Sequence, residues 1–418
     1  MGDTLGNDIT GVRSRPLLWA AFGAVHCVVV TLALGGRLGI FDVEHVYLEW
    51  ARTVVGTGAW PGLDVPFVYP FLALLPMLAS AAFGWAHFTA VWFALMVAVN
   101  AAAFAVVLGR GRLTTSRALA ALAWMLLILA AGPVSLARID TVAAAVAVVA
   151  LLLGVTRPGA AAALAAVGAW IKVWPAALVI AIVIACRRRT AALGAALLAG
   201  LGVLAALLAL GAGANAWSFV SSQASRGLQI EAPAATPFMI AAMLASGQGP
   251  SYNAQLQTSE FASTLAQSVA RASDLLLAAA VLAVSLVALL AVRRGAPARR
   301  LLPSVSLALV LSLIVLNKVG SPQFVTWVAA PLVLGLIARR HDFRAAAWLV
   351  FAAALLTQAV FPWLSEQVAS AEPVGALVLL ARNATYVALW IWALVRLARD
   401  ATPRSNMRSN GFPRSMAM

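Results

Sequence analysis

Asp42 is the first residue of this chain whose surroundings suggest chemistry. It lies in the stretch Gly39 to Pro76, GIFDVEHVYLEWARTVVGTGAWPGLDVPFVYPFLALLP, together with Glu44, Glu49 and Asp64, in a chain with fourteen acids in all. Acids are costly to place in lipid and mark function where they meet a membrane. A carboxylate set against a sugar hydroxyl acts as a general base; an Asp at this place also reads as an ordinary helix N-cap. The facing cations are few. Lys172 and Lys318 are the only lysines, each near a tryptophan and a proline where an apolar run is interrupted. With Arg138 and Arg226 they make a set suited to neutralising a lipid-linked phosphate in a site of low dielectric. Snorkelling and the capping of helix C-termini are the simpler uses of such lysines. Asp140 reads as the cap of a following helix or as the partner of Arg138, and Glu231 as a solvated loop acid. Tyr47, Trp50, Trp60, Tyr69, Trp170 and Trp174 gather near the same surface, as an interface belt does.

The elements that must hold these residues are membrane helices. The chain is 63% hydrophobic and 10% charged, far from a soluble domain. Runs of span length recur from residue 17 to residue 397, which makes an all-α polytopic integral membrane protein of about twelve helices, some short or broken. The net charge of +15 follows the positive-inside rule rather than a need to bind nucleic acid. Cys27 and Cys186 form no disulfide framework, and the four scattered histidines form no metal site. Leu17 to Leu34 lacks a following A-x-A site and reads as an uncleaved first span.

Arginine placement then orders the chain. Residues 1–16 are an inner segment, 17–397 one membrane domain and 398–418 an inner tail expected to be disordered. The first outer loop is 35–85, the long outer loop 212–273, and 361–374 is also outside. In the first loop, Val43, Val46, Tyr47, Trp50 and Val54 recur at helical spacing, which predicts an amphipathic helix lying on the membrane with its aromatic face down. A second surface helix is expected over Phe67 to Phe83, after the Tyr69-Pro70 step. The run Ala160 to Cys186 is interrupted by Lys172-Val173-Trp174-Pro175, and neither half is long enough to cross ~30 Å of hydrocarbon upright. Two short helices meeting at an outer break are expected there. Span 8 is expected over Asp274 to Val292.

In the order of these parts the sequence resembles the GT-C class of membrane glycosyltransferases, which use polyprenyl-phosphate sugars. The order is an acid opening the first outer loop (Asp42), Tyr69-Pro70, an Arg-x-Asp (Arg138, Asp140) and the break at Lys172 to Pro175. Arg226 to Glu231 and Asn317 to Gln323 are most similar to glycosyltransferase family 87. That family includes polyprenyl-phosphate-mannose-dependent α-mannosyltransferases and related arabinosyltransferases. Family members often carry Tyr-Pro-Pro and Ser-Pro-Gln-Tyr, where this chain has Tyr69-Pro70-Phe71 and Ser321-Pro322-Gln323-Phe324.

The resemblance implies a GT-C fold with its active site on the outer face of the cell membrane and both termini inside. It implies Asp42 as catalytic base, inverting the anomeric centre. Lys172, Lys318 and Arg138 would hold the donor phosphate. Asp140, Glu231, Gln229, Tyr47, Tyr69 and Gln323 would position substrate. No metal or cofactor enters this scheme. The partners implied are a polyprenyl-phosphate sugar, mannose foremost, an envelope glycolipid or polysaccharide acceptor, and the bilayer. A flippase for lipid-linked sugars would share broken helices and intramembrane charges, but should show inverted repeats and charges at mid-depth. A scaffold without catalysis would tolerate loss of Asp42 and both lysines.

Overall fold

The computed structural model describes residues 14–245, 249–254 and 258–402. The first thirteen residues of the expected inner segment and the tail beyond 402 lie outside the described residues. The opening helix α1 (Ser14–Gly35) is apolar around its circumference, as a helix in hydrocarbon must be to leave no polar group without a partner. Gly39, at φ +68°, then turns the chain sharply. A six-residue π-helical turn, Asp42–Tyr47, runs into α2 (Leu48–Thr57), which stops at Gly58 with φ +75°.

This helix differs from the surface helix expected. Val43, Tyr47, Ala51 and Val54 are fully or almost fully buried, and Tyr47 packs on Trp92 with ring centroids 4.7 Å apart. The apolar stripe is covered by protein, while Asp42 is half-buried and Glu49 exposed. Nor does Asp42 cap anything, because no side-chain cap bond closes this helix start. The second expected surface helix is a 3₁₀ turn at Phe71–Ala73 followed by α3 (Leu74–Ser80). Phe67 to Pro70 stays outside the helix, with a bend at Val68-Tyr69, since the residue before a proline is steered away from helical angles. Its buried Phe67 N–H is satisfied by Ser218 Oγ at 2.8 Å.

The bundle follows as α4 (Phe88–Leu108), α5 (Thr115–Ala131), α6 (Asp140–Leu153), α7 (Pro158–Ala169), α8 (Ala176–Ala185) and α9 (Arg189–Ala209). The break between α7 and α8 covers Trp170 to Pro175, as expected, and each half is far shorter than the bilayer. The alanines of α7 allow close approach to α6 and α9; Gly168 leaves room for Val146 and Pro175. Beyond α9 the long loop is more structured than its composition suggested. It contains α10 (Ser218–Ala224), α11 (Thr236–Leu244) and a small antiparallel sheet of β1 (Leu228–Gln229), β2 (Ser251–Asn253) and β3 (Thr258–Phe261), with β3 central.

The next helix, α12 (Thr264–Arg293), starts ten residues before the expected span, with Ser263 Oγ accepting from the N–H of Ala266 at 3.2 Å. Its polar first third keeps Ala266, Ala270 and Ser273 buried at i, i+4 and i+7, a helical period that hydropathy alone passes over. The nearly fully buried α13 (Ala298–Val315) forms the centre. A 3₁₀ turn at Pro322–Val328 leads into α14 (Ala329–Gln358), which breaks at Arg339. A short α15 (Ser365–Ala369) and the long α16 (Pro373–Ala401) complete the chain.

Among the described residues, eight helical stretches are long and apolar enough to cross a membrane. One of them, Pro322–Trp363, is two arms joined at Arg339, matching two of the expected spans. With the short helices α6, α7 and α8, this gives the dozen expected. Leu198, Leu201, Leu275 and Leu282 face outward from α9 and α12, as lipid-facing side chains do. The chain is a multi-pass, essentially all-helical membrane protein. At the arginine-rich end, buried Asp400 accepts from Arg300 at 2.8 Å, Arg339 at 2.6 Å and Ser304 at 2.7 Å. This fastens α13, α14 and α16 where the opposite end of the bundle carries the site.

Candidate active site

Asp42 and Arg138 meet at that opposite end. Asp42 Oδ2 stands 3.2 Å from Arg138 Nε, and the carboxylate side chain keeps 26% of its surface exposed. Arg138 lies between the 3₁₀ turn Gly132–Ser135 and α6 and is buried. Its Nη1 donates to the carbonyls of Gly39 at 2.8 Å and Ala137 at 3.1 Å. The turn at Gly39 therefore does two things. It brings Asp42 to the bundle and satisfies the guanidinium that faces it. Tyr47, one helical turn on from Asp42, accepts from the Ile139 N–H at 3.2 Å, which pins the turn carrying Asp42 to the Arg138-Ile139-Asp140 segment.

Asp140 heads α6 and is only 1% exposed. Its Oδ1 accepts from Trp327 Nε1 at 2.6 Å. Its Oδ2 stands 3.4 Å from Lys172 Nζ but accepts no hydrogen bond, so the pair is ionic and the ammonium keeps donors to spare. Lys172 Nζ also sits 4.6 Å from the centre of the Tyr69 ring, a cation–π arrangement. Trp174, in the same break, stacks on Trp327 at 5.5 Å and 12°, and its buried Nε1 has no acceptor among the described residues. Tyr69 faces Tyr47 with centroids 6.1 Å apart. Burial first, and then the charge of Asp42, pushes the Tyr69 phenol well above its ordinary pKa. It is therefore a neutral hydroxyl at physiological pH and can donate.

The structure thus gathers Asp42, Tyr47, Tyr69, Arg138, Asp140 and Lys172 into one contiguous group. Lys318 belongs to a second group built on the long loop. Its Nζ donates to Asp274 Oδ2 at 2.8 Å and to the Ala224 carbonyl at 3.0 Å. The buried Gln229 is tied in through its N–H to the Lys318 carbonyl at 3.0 Å. Glu231 is clasped by Arg382, whose Nη1 reaches Glu231 Oε2 at 2.5 Å while Nη2 donates to its carbonyl. Gln323 enters through the Pro322–Val328 turn, where its carbonyl accepts from Thr326 at 2.8 Å; the same turn delivers Trp327 to Asp140.

Sequence reasoning missed Trp327, Asp274 and Arg382. Arg382 did leave a signal. It is a charge inside an apolar span, which by default marks a functional or structural site, and it is almost fully buried in α16.

Gly320 packs directly on the backbone of Glu231 and Ala232 in the second group. A Cβ built there would stand 2.1 Å from the Ala232 nitrogen and 2.2 Å from the Glu231 carbonyl carbon. Backbone cannot yield as a flexible side chain can. Gly320→Ala is therefore expected to lower stability by about 1–3 kcal/mol and to displace Glu231. A thermal-unfolding midpoint in detergent equal to that of the unaltered protein would refute this close approach.

The family model described as Glycosyltransferase family 87 matches residues 67–317, more than half of the chain. The matched residues include Tyr69, Arg138, Asp140, Lys172, Arg226 and Glu231; Asp42 and Lys318 fall outside them. No curated protein matches the chain.

Proposed function

The chain belongs to glycosyltransferase family 87, and starting from that membership we propose that it moves a sugar, mannose foremost, from a polyprenyl-phosphate donor to a hydroxyl of an envelope glycolipid or polysaccharide. The observation that carries this reading is the meeting of a partly exposed carboxylate with a buried cluster of cations and aromatics, Asp42 against Arg138, Lys172 and Tyr69. Asp42 takes the proton of the acceptor hydroxyl. The acceptor oxygen bonds to the anomeric carbon from the face opposite the phosphate. The bond from that carbon to the phosphate oxygen breaks, and its electron pair leaves on the phosphate, inverting the centre. Lys172 and Arg138, with Lys318 from the second group, supply the positive charge that stabilises this departing anion. Asp140 holds Lys172 in place. Tyr69 and Tyr47 shape the wall between base and phosphate, and Glu231, Gln229 and Gln323 line the acceptor and donor side.

Membranes containing the protein, supplied with labelled polyprenyl-phosphate mannose, should transfer label to a lipid or polysaccharide product, and membranes of the Asp42→Asn variant should not. Transfer from the arabinose donor alone would keep the reaction class and change the sugar. Transfer from neither would overturn the proposal.

We place this site on the outer face of the cell membrane, with both termini inside, because arginine crowds the opposite end of the bundle as the positive-inside rule requires. Thr57 and Tyr252 are exposed at the Asp42 end. In a protein lacking Cys27 and Cys186, Thr57→Cys and Tyr252→Cys should react with an impermeant thiol reagent added to intact cells. Reaction only after the inner side is opened would invert the topology.

A further inference from the structure

Arg138, Lys172, Lys318 and Arg382 each face a carboxylate of the chain. Arg138 is committed to Asp42 and two carbonyls. Lys172 faces Asp140, Lys318 is held by Asp274 and a carbonyl, and Arg382 is held by Glu231. Arg226 has no side-chain hydrogen bond or ion pair among the described residues, and its Nε is buried without an acceptor. The residue as a whole is half-buried; a donor atom buried without an acceptor is costly, so this Nε suits an acceptor from outside the chain.

Three contacts fix where Arg226 sits. It follows α10, whose Ser218 hydroxyl bonds both the N–H and the carbonyl of Phe67, at 2.8 Å and 3.0 Å. Phe67 is two residues from Tyr69, so the turn carrying Arg226 is anchored to the segment that carries the Tyr69 phenol. Lys318 holds the end of α10 through the Ala224 carbonyl, two residues before Arg226. On the other side, Gly227 packs against the Glu260 carboxylate, which a Cβ there would approach to 2.7 Å. Glu260 is partly occupied by Asn253 Nδ2 at 2.9 Å. It lends negative charge nearby but forms no ion pair with Arg226.

We infer that Arg226 is a further residue that contacts the donor phosphate directly from the long loop, on the Tyr69 side of the site, and that Lys318, besides lending its charge, fixes the turn on which Arg226 stands. This rests on the polyprenyl-phosphate reading above. A guanidinium offers paired donors to two phosphate oxygens, whereas a lysine offers a point charge. The long loop would then supply this guanidinium to the phosphate end of the donor while the lipid tail stays in the membrane.

The test is equilibrium binding of a polyprenyl monophosphate, and of the matching uncharged polyprenol, to the full-length protein in detergent. The unaltered protein should prefer the phosphate form, and millimolar inorganic phosphate should not displace it. Arg226→Gln should lose at least about tenfold of that preference while polyprenol binding stays the same. Arg226→Lys should recover part of it. Arg37→Gln, an exposed arginine paired with Glu44, should change nothing. Should the glutamine variant not fold, Arg226→Met keeps the buried stem and takes its place. If the unaltered protein prefers the phosphate and the Arg226 variants keep that preference, Arg226 is not a contact, although the donor class stands. If the unaltered protein binds both lipids alike, the donor class itself falls.

Discussion

Asp42→Asn should give a protein that inserts, folds and binds its donor but turns over 10²- to 10⁴-fold more slowly, about the usual contribution of a general base. Asn is nearly isosteric with Asp and its Oδ1 can still accept from Arg138 Nε, now 3.2 Å from the carboxylate. Arg138 also keeps its bonds to the Gly39 and Ala137 carbonyls, so the guanidinium is not stranded. The stability cost should remain within about 1.5–3 kcal/mol, the worth of a hydrogen bond to a charged group. What Asn cannot do at neutral pH is take the acceptor's proton. No helix start depends on this side chain, which removes the capping role as an explanation for any loss. The decisive measurement is turnover by purified, folded Asp42→Asn with labelled donor. Near-normal turnover would take Asp42 out of the mechanism. Asp140 would be a poor replacement, being buried between Trp327 and Lys172, and Glu231 is clasped by Arg382.

Much of this site could be read along the chain because its parts interrupt apolar runs. Asp42, Arg138, Asp140 and Lys172 each stand out against hydrocarbon-compatible neighbours, and the short halves on either side of Trp170 to Pro175 are visible as length alone. Other features have no one-dimensional signal. Asp140 and Trp327 lie 187 residues apart, and nothing in either neighbourhood names the other. The stripe Val43, Tyr47 and Val54 marks one face of a helix, but lipid and protein are both apolar, so spacing cannot say which covers it. Trp92 does. The polar beginning of α12 was hidden for a related reason. Span detection weighs hydropathy, whereas that segment is fixed by small residues buried at helical period. The long loop's sheet was hidden because strands of two to four residues are too short for alternation to register.

Lys172→Ala is expected to be the most damaging single change, because it removes two things at once. Asp140 is 1% exposed, and without Lys172 it becomes a buried charge whose Oδ2 has no partner at all. Breaking a buried pair in this way typically costs 3–5 kcal/mol of stability, roughly. The donor phosphate loses its cation as well, on the order of 2–5 kcal/mol of binding. A single variant cannot tell these losses apart. The double variant Lys172→Met with Asp140→Asn can. It removes the stranded charge, keeps an oxygen to accept from Trp327 Nε1, and leaves an apolar stem near the Tyr69 ring. Its thermal-unfolding midpoint should return close to that of the unaltered protein, while donor binding stays as weak as in Lys172→Ala. Lys172→Arg should not restore donor use, because a planar fork cannot keep both the distance to Asp140 and the seat over Tyr69. If the double variant folds and binds the polyprenyl-phosphate donor like the unaltered protein, Lys172 serves only to neutralise Asp140, and the phosphate is held elsewhere.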